Sequence, residues 1–455
     1  MSSDYRIIAN GVTIYLVNSS AAPTAGGAAT SAATTPWGLR TEWTPQAAPP
    51  ALLERGGPPL ANGSEAAWLA YETIDETIPL YLLGSTADTL AARLQQLRQQ
   101  FAALYAAPAV LYVKPNGSST AVYYEILSGS VQESGWPNTA TTPAEGATRI
   151  LVDLTIRRKP FAGLASLETL VNGASFGNTG TGSPDDTESL GTPKGDLVYE
   201  GSPLNVRVDK PTAQSPVSVY LATVYGRTYQ SIASAQTTSG TANFTASTAI
   251  DLSALRTRAG LRLRVAGRLT TLTAPSNAQV RAAVQTTAGA TLWTGAWVQL
   301  GSNTTAQYAD LGGTTLDALR TPLTGTSNVL VQVSIRSLSG SVTATLSYIE
   351  AILYYDWCRV DLPSALSTSQ RLWVISAQNR AGGGWLPLLT AQASVTDTSD
   401  VPVRPAVVFG TAPRAVAGAS LYAAWVDANG AHTNTDTTTV TVQHAPLYRT
   451  LGATT

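Results

Sequence analysis

The chain has little of what side-chain chemistry usually needs. Among its 455 residues there is one cysteine, Cys358, so neither an intrachain disulfide nor a cysteine metal cluster can form. There are two histidines. His432 sits beside Asn429-Gly430, a hairpin-tip signal, and His444 lies between a strand pattern and Pro446, so a structural or exposed role is expected of both. No Gly-x-Ser-x-Gly elbow, Walker A sequence or dinucleotide fingerprint set between a strand and a helix occurs. Charge is also scarce: 13% of residues are charged, against about 25% in ordinary soluble domains. With 28 basic and 29 acidic side chains the net charge is -1, which leaves no electrostatic footprint for specific nucleic acid or an anionic membrane. So few like charges oppose association between copies of the chain only weakly.

Two acidic clusters deserve weighing as general acid and base. Glu72, Asp75 and Glu76 precede a strand pattern, and Asp185, Asp186 and Glu188 lie in a Gly/Ser-rich stretch; both read as solvated turn charges, and Asp185-Asp186 matches no EF-hand spacing. The expectation is no enzyme, no cofactor and no metal. The start, Met1-Ser2-Ser3-Asp4-Tyr5-Arg6, lacks the basic region and apolar core of a signal peptide, and no run of eighteen apolar residues occurs, so synthesis in a cytoplasm without a membrane span is expected.

What the chain does have is apolar alternation, with a hydrophobic share of 44%. At about 100–200 residues per domain its length suggests roughly three domains. A mainly β fold is expected, with one convincing helix. Ser85-Thr86-Ala87-Asp88 reads as an N-terminal capping box, and Leu90, Leu94, Leu97, Phe101 and Leu104 then recur at helical spacing on one face before Pro108 stops the helix. A strand over 109–113, turn chemistry at Lys114-Pro115-Asn116-Gly117 and a return strand over 122–127 follow. Ile150, Val152, Leu154 and Ile156 alternate with Leu151, Asp153, Thr155 and Arg157, giving a strand with one apolar face. Near the start, 5–17 reads as a hairpin around Asn10-Gly11.

This order of parts resembles the N-terminal domain of siphophage distal tail proteins. The matching residues are Thr77-Ile78-Pro79-Leu80-Tyr81-Leu82-Leu83-Gly84, the capped helix, the Lys114-Pro115-Asn116-Gly117 hairpin, and the closing strand with Arg158-Lys159-Pro160-Phe161. The match is one of pattern and covers about the first third of the chain. The resemblance implies a structural virion protein of a tailed bacteriophage, forming a hexameric ring at the distal end of the tail. It further implies partners in the tail tube protein and in a hub or tape-measure protein, and location in the virion tail. The chain pattern alone does not supply the number six.

The expected organisation is a ring-type α+β domain over 1–163, a linker over 164–195, a jelly-roll-like β-sandwich over 196–358 and a small immunoglobulin-like β-sandwich over 359–455. The last could instead supply extra strands to the second domain. Pairing of 204–208 with 349–355 is expected within the jelly roll, and the edges of 5–17 and 150–157 are candidates for pairing between subunits. Trp37 and Trp43, in a Pro-rich segment, are candidate inter-subunit anchors. The alternative function is a carbohydrate-binding adhesin or receptor-binding tail protein, with a host-surface glycan as ligand and Trp297 and Trp385 as candidate contacts; core packing is expected of Trp293, Trp357, Trp373 and Trp425.

Overall fold

The computed structural model describes residues 4–9, 12–16, 35–40, 43–47, 52–55, 66–70, 72–102, 109–135, 149–164, 166–175, 187–196, 202–209, 216–244, 249–252, 261–315, 328–367, 370–375, 386–391, 401–404, 407–411, 413–428 and 439–448. Leu104, Asp185, Asp186, Trp385 and His432 lie outside them. The fold is mainly β, with sandwich-like sheets and, among the described residues, one α-helix.

The first domain contains β1 (Asp4–Ala9), β2 (Val12–Leu16), β3 (Trp37–Leu39), the separate hairpin of β4 (Leu52–Arg55) and β5 (Ala66–Ala70), β6 (Ile74–Leu83), α1 (Ala87–Ala102), β7 (Ala109–Lys114), β8 (Val122–Gly135) and β9 (Arg149–Gly163). Its main sheet runs β2-β1-β7-β8-β9-β6-β3. Alternation works as expected: Ile150, Val152, Leu154 and Ile156 are buried, and the residues between them are not. Leu90, Leu94, Leu97 and Phe101 of α1 join the same core. The helix cap falls one residue later than the sequence suggests. Thr86 Oγ1 accepts the Thr89 N–H at 3.2 Å while Thr89 Oγ1 accepts the Thr86 N–H at 2.7 Å, so the reciprocal pair is Thr86 and Thr89. Asp88 stands in the first turn, where a carboxylate suits the helix dipole. Gly129 on β8 makes room for this helix, since a Cβ there would lie 2.8 Å from the Phe101 ring and 2.8 Å from the Thr155 carbonyl oxygen.

One expected edge is not an edge. The strand over 150–157 pairs with β8 on one side and β6 on the other, so it has no free backbone to offer a neighbouring subunit. Of the 5–17 hairpin, only β2 ends the sheet. The two ends of the sheet also approach each other, because the Trp37 indole N–H on β3 donates to the Tyr15 carbonyl of β2 at 2.8 Å.

The remaining strands are β10 (Glu168–Ser175), β11 (Thr187–Ser189), β12 (Ser202–Asp209), β13 (Pro216–Thr238), β14 (Thr241–Asn243), β15 (Ala249–Asp251), β16 (Arg262–Thr273), β17 (Ala278–Thr286), β18 (Thr291–Thr294), β19 (Val298–Gln299), β20 (Ala306–Thr315), β21 (Asn328–Ser337), β22 (Val342–Asp361), β23 (Gln370–Ile375), β24 (Leu386–Ala391), β25 (Val401–Arg404), β26 (Val407–Gly410), β27 (Arg414–Ala415), β28 (Ser420–Asp427), β29 (Thr439–His444) and β30 (Leu447–Tyr448). One sheet runs β10-β29-β12-β23-β24-β25 with β27 beside β12. A second runs β11-β28-β13-β22-β16-β20 with β26 beside β22, and a third runs β14-β21-β17-β18 with β15 and β19 at its flanks.

The second of these sheets serves two cores. Val219, Leu221, Cys358, Val360, Leu421 and Ala423 pack with β12, β23 and β29, whereas Leu263, Val265, Ile349, Ala351 and Leu353 pack with β17 and β21. The long strands β13 and β22 run through both. Even positions of β22 face a core from Val342 to Leu346, odd positions from Ile349 to Leu353, after the shift that sets Ser231 opposite Tyr348 and Ser234 opposite Leu346, and even positions again from Cys358 onward. Another register shift, with Thr223 opposite Asp356 and Val224 opposite Tyr354, inserts the extra residue that changes the parity back while keeping both cores on one side of the sheet.

Strand exchange therefore crosses the expected boundaries. The stretch 164–195 supplies β10 and β11, and the stretch 359–455 supplies strands to the same two sheets as β12 and β13. The expected pairing of 204–208 with 349–355 is not made. Leu204–Asp209 instead pair with His444–Thr439 on one side, and Asn205–Asp209 with Ile375–Arg371 on the other. Apolar alternation alone cannot distinguish these partners, because all the strands concerned present the same kind of face. β30 then returns to the first domain, pairing with Ala162 and Gly163 of β9 and burying Tyr448 in that core. No described helix is long and apolar enough to cross a membrane.

Candidate functional site

The nearest approach to a catalytic constellation is Ser202, His444 and Glu168. Ser202 Oγ lies 3.0 Å from His444 Nδ1, and His444 Nε2 lies 2.8 Å from Glu168 Oε2. Burial lowers the His444 pKa against the opposing pull of Glu168, which favours the neutral ring. In that form Nε2–H donates to the carboxylate and Nδ1 accepts from the serine hydroxyl. Ser202 and His444 are 1% and 0% exposed, so no substrate carbonyl can reach the hydroxyl. The trio ties β10, β12 and β29 together beside the return strand β30. Cys358 is equally sheltered: burial pushes its thiol up to about 12, far from a reactive thiolate. Among the described residues no group of three His, Cys, Asp or Glu is placed to hold a metal.

The tryptophans proposed from the sequence fare unequally. Trp37 is completely buried within its own domain, so it has no surface with which to anchor another subunit. Trp43 is partly buried and meets Tyr5 edge-on, with centroids 5.4 Å apart. The ring of Trp297 carries two guanidiniums, Arg281 at 4.4 Å and Arg336 at 4.5 Å from its centroid, which compete for the faces a sugar would stack on. Trp357 and Trp425 are buried, Trp293 packs against the core of the β17 sandwich, and Trp373 is partly buried with Arg207 5.6 Å from its ring.

The same segment as Trp43 is held by a buried ion pair. Arg158 Nη2 donates to Glu76 Oε1 at 2.6 Å and to the Gln46 carbonyl at 2.7 Å, and the Gln46 N–H returns to Glu76 Oε1 at 2.5 Å. Both charged side chains are 0% exposed, and the Arg158 guanidinium lies 4.0 Å from the centroid of the Tyr124 ring. Glu76, read from the sequence as a solvated turn charge, is therefore a core residue. Its neighbour Asp75 is exposed, and pairs with Arg157 at 2.7 and 2.8 Å on the opposite face of the same strands.

The open site of interest lies on the other face of the shared sheet. There Tyr220, Tyr308, Tyr354, Trp357 and Tyr422 form an aromatic cluster. Trp357 stacks on Tyr422 at 5.5 Å, and the Tyr308 and Tyr422 hydroxyls meet at 2.8 Å. Arg227 brackets Glu350 with bonds of 2.8 and 3.1 Å beside this cluster, and burial raises the Glu350 pKa despite that partner. At the rim is a cleft of about 360 Å³ lined by Arg262, Arg264, Asp310, Tyr354, Trp357 and Arg359, and closed by Phe409, Gly410 and Thr411.

Local structure explains its shape. Arg262 and Arg264 alternate on β16 with Leu263, which points into the core, so their side chains share one face. Arg264 Nε donates to Asp310 at 2.8 Å and its guanidinium lies 4.2 Å from the Trp357 centroid. Arg359 donates to Asp361 at 2.8 Å and lies 4.5 Å from the centroid of Phe409, which is 50% exposed. The wall formed by β26 requires glycine at 410: φ is +92°, and a Cβ would lie 2.2 Å from the Trp357 carbonyl oxygen, the same oxygen that accepts the Thr411 N–H at 3.0 Å. The alternating arginines of 261–265 are visible in the sequence; the pairing that brings Arg359 and Phe409 to them is not.

No family model and no curated protein matches the chain. Among solved structures, a chain of the phage p2 baseplate in its activated conformation with Sr is similar over 49% of this chain and 73% of its own, at 8% identity and a TM-score of 0.25. The SPP1 Dit protein is similar over 76% of this chain and 98% of its own, at 9% identity and a TM-score of 0.23. The VP2 subviral particle of infectious bursal disease virus follows with 53% and 63% coverage, 10% identity and a TM-score of 0.20. Likenesses at these TM-scores carry no argument for a shared family.

Proposed function

We propose that this chain is a structural protein of a bacteriophage tail, whose first domain closes into a ring at the distal end of the tail and joins the tube to the tip. The observation that carries the proposal is the first domain. β6, the capped helix, the β7–β8 hairpin and the closing strand β9 follow one another in the order that marks distal tail proteins, and pack as one sheet with the helix on its core face. Closing a ring needs a heterologous interface between copies of the chain. The tube protein on one side and a hub or tape-measure protein on the other complete the expected contacts.

The test is light-scattering mass with negative-stain imaging of the full-length chain. Rings, with a mass of six chains, are the expected result. A monomer at every concentration, with or without tube protein added, overturns the proposal. Sugar binding by the sandwiches is a separate property on which ring closure does not depend.

A further inference from the structure

The cleft between β16, β22 and β26 has more positive charge than its own partners neutralise. Three guanidiniums line it, Arg262, Arg264 and Arg359; Arg264 is paired with Asp310 and Arg359 with Asp361, three guanidiniums against two carboxylates. Arg262 is the unspent one. It is exposed, no hydrogen-bonded carboxylate holds it among the described residues, and Asp356, which its charge reaches, is already bonded to Arg414 at 2.8 Å. The other two cleft arginines are held in place against Trp357 and Phe409, so their direction is set before anything binds. Fixed guanidiniums around an open space recognise carboxylate or phosphate.

The space also exceeds the needs of a bare anion, since about 360 Å³ lies in the range of pockets that hold whole small molecules. Its walls offer the exposed Phe409 ring and Tyr354 as apolar surface, with Thr411 as a polar neighbour. A ligand suited to both needs an acidic group, an apolar face and hydroxyls.

We propose that this cleft binds an acidic sugar unit, with its carboxylate or phosphate on Arg262 and its ring against Phe409. The assignment stands on the sandwiches alone and is independent of ring formation by the first domain.

The experiment is calorimetric titration of the full-length chain with glucuronate, glucose 6-phosphate, glucose, inorganic phosphate and phenyl phosphate. The two acidic sugars are expected to bind at least about 10-fold more tightly than glucose or inorganic phosphate, because each of those lacks half of the recognised features. Arg262→Ala removes an exposed side chain and leaves the fold intact, so a loss of about 10-fold in affinity for both acidic sugars is expected. Phe409→Ala is expected to weaken the sugars while leaving inorganic phosphate unchanged. No binding of either acidic sugar, equal binding of inorganic phosphate, preference for phenyl phosphate, or indifference to Arg262→Ala would each overturn the proposal.

Discussion

The first domain and the paired sandwiches use the same alternating antiparallel strands but assemble them by different routes. Of the eight strands in the main sheet of the first domain, all but β30 come from 4–163, and several pairs are neighbours in sequence. In the sandwiches β10 pairs with β29 and β12 with β29, across more than half the chain, and β13 and β22 are shared between two cores. Local pairings close short loops and distant ones close long loops, so the first domain can form early and the sandwiches only once the chain is nearly complete. That is an arrangement in which one part can be a platform and the other a cargo.

In each region an arginine pairs with a buried glutamate, Arg158 with Glu76 and Arg227 with Glu350, which provides a matched way to separate them. Glu76→Ala leaves the Arg158 charge buried without its partner and is expected to cost about 3–5 kcal/mol, lowering the unfolding transition of the first domain alone. Glu350→Ala should lower the sandwich transition instead. Denaturant unfolding followed by two regional probes checks this, and equal shifts of both transitions by either substitution would break the comparison. Next in size, Gly129→Ala forces a methyl group against Phe101 and the Thr155 carbonyl, and should destabilise the first domain by about 1–3 kcal/mol in the same assay.

A smaller effect depends on pH and belongs to the sandwich side. Burial depresses the His444 pKa below 6.5, so the unfolded chain binds that proton first. The stability His444 contributes is then whole above about 6.5 and drains as pH falls from there toward the folded value. Glu168 accepts from the ring, Ser202 lies on its other nitrogen, and the nearby Lys194 charge adds to the depression. His444→Gln should flatten the pH dependence of sandwich stability in this window, read as the difference between wild-type and variant unfolding curves. Glu168 has its own depressed pKa, and its contribution is lost only below 4.5, a separate window. Smallest of all, Asp75→Ala breaks a well-formed but exposed bridge and should leave the unfolding midpoint unchanged within error.

The parts that could be read from the sequence are the local ones. The helix face, the 109–127 hairpin and the closing strand each declare themselves within a few residues, through spacing and turn chemistry. Trp37 misled because its neighbourhood is Pro-rich and bland, whereas β3 pairs with β6 and carries the ring into the core. Glu76 misled because its buried partner lies 82 residues away. In β22 the parity change between Leu353 and Cys358 looks like a continuous apolar run, and only pairing with β13 shows that it is a bulge serving two cores. The cleft was half visible: Arg262 and Arg264 alternate on one strand, but no local signal connects them with Phe409.

The most direct test of the platform and cargo division is hydrogen exchange of the full-length chain, compared between its dissociated and assembled states. Protection gained on assembly is expected in the strands of 4–163, with the edge at β2 among the segments that gain it, and the sandwich strands unchanged. Protection gained only in the sandwiches, or gained nowhere because no assembled state forms, would contradict the account.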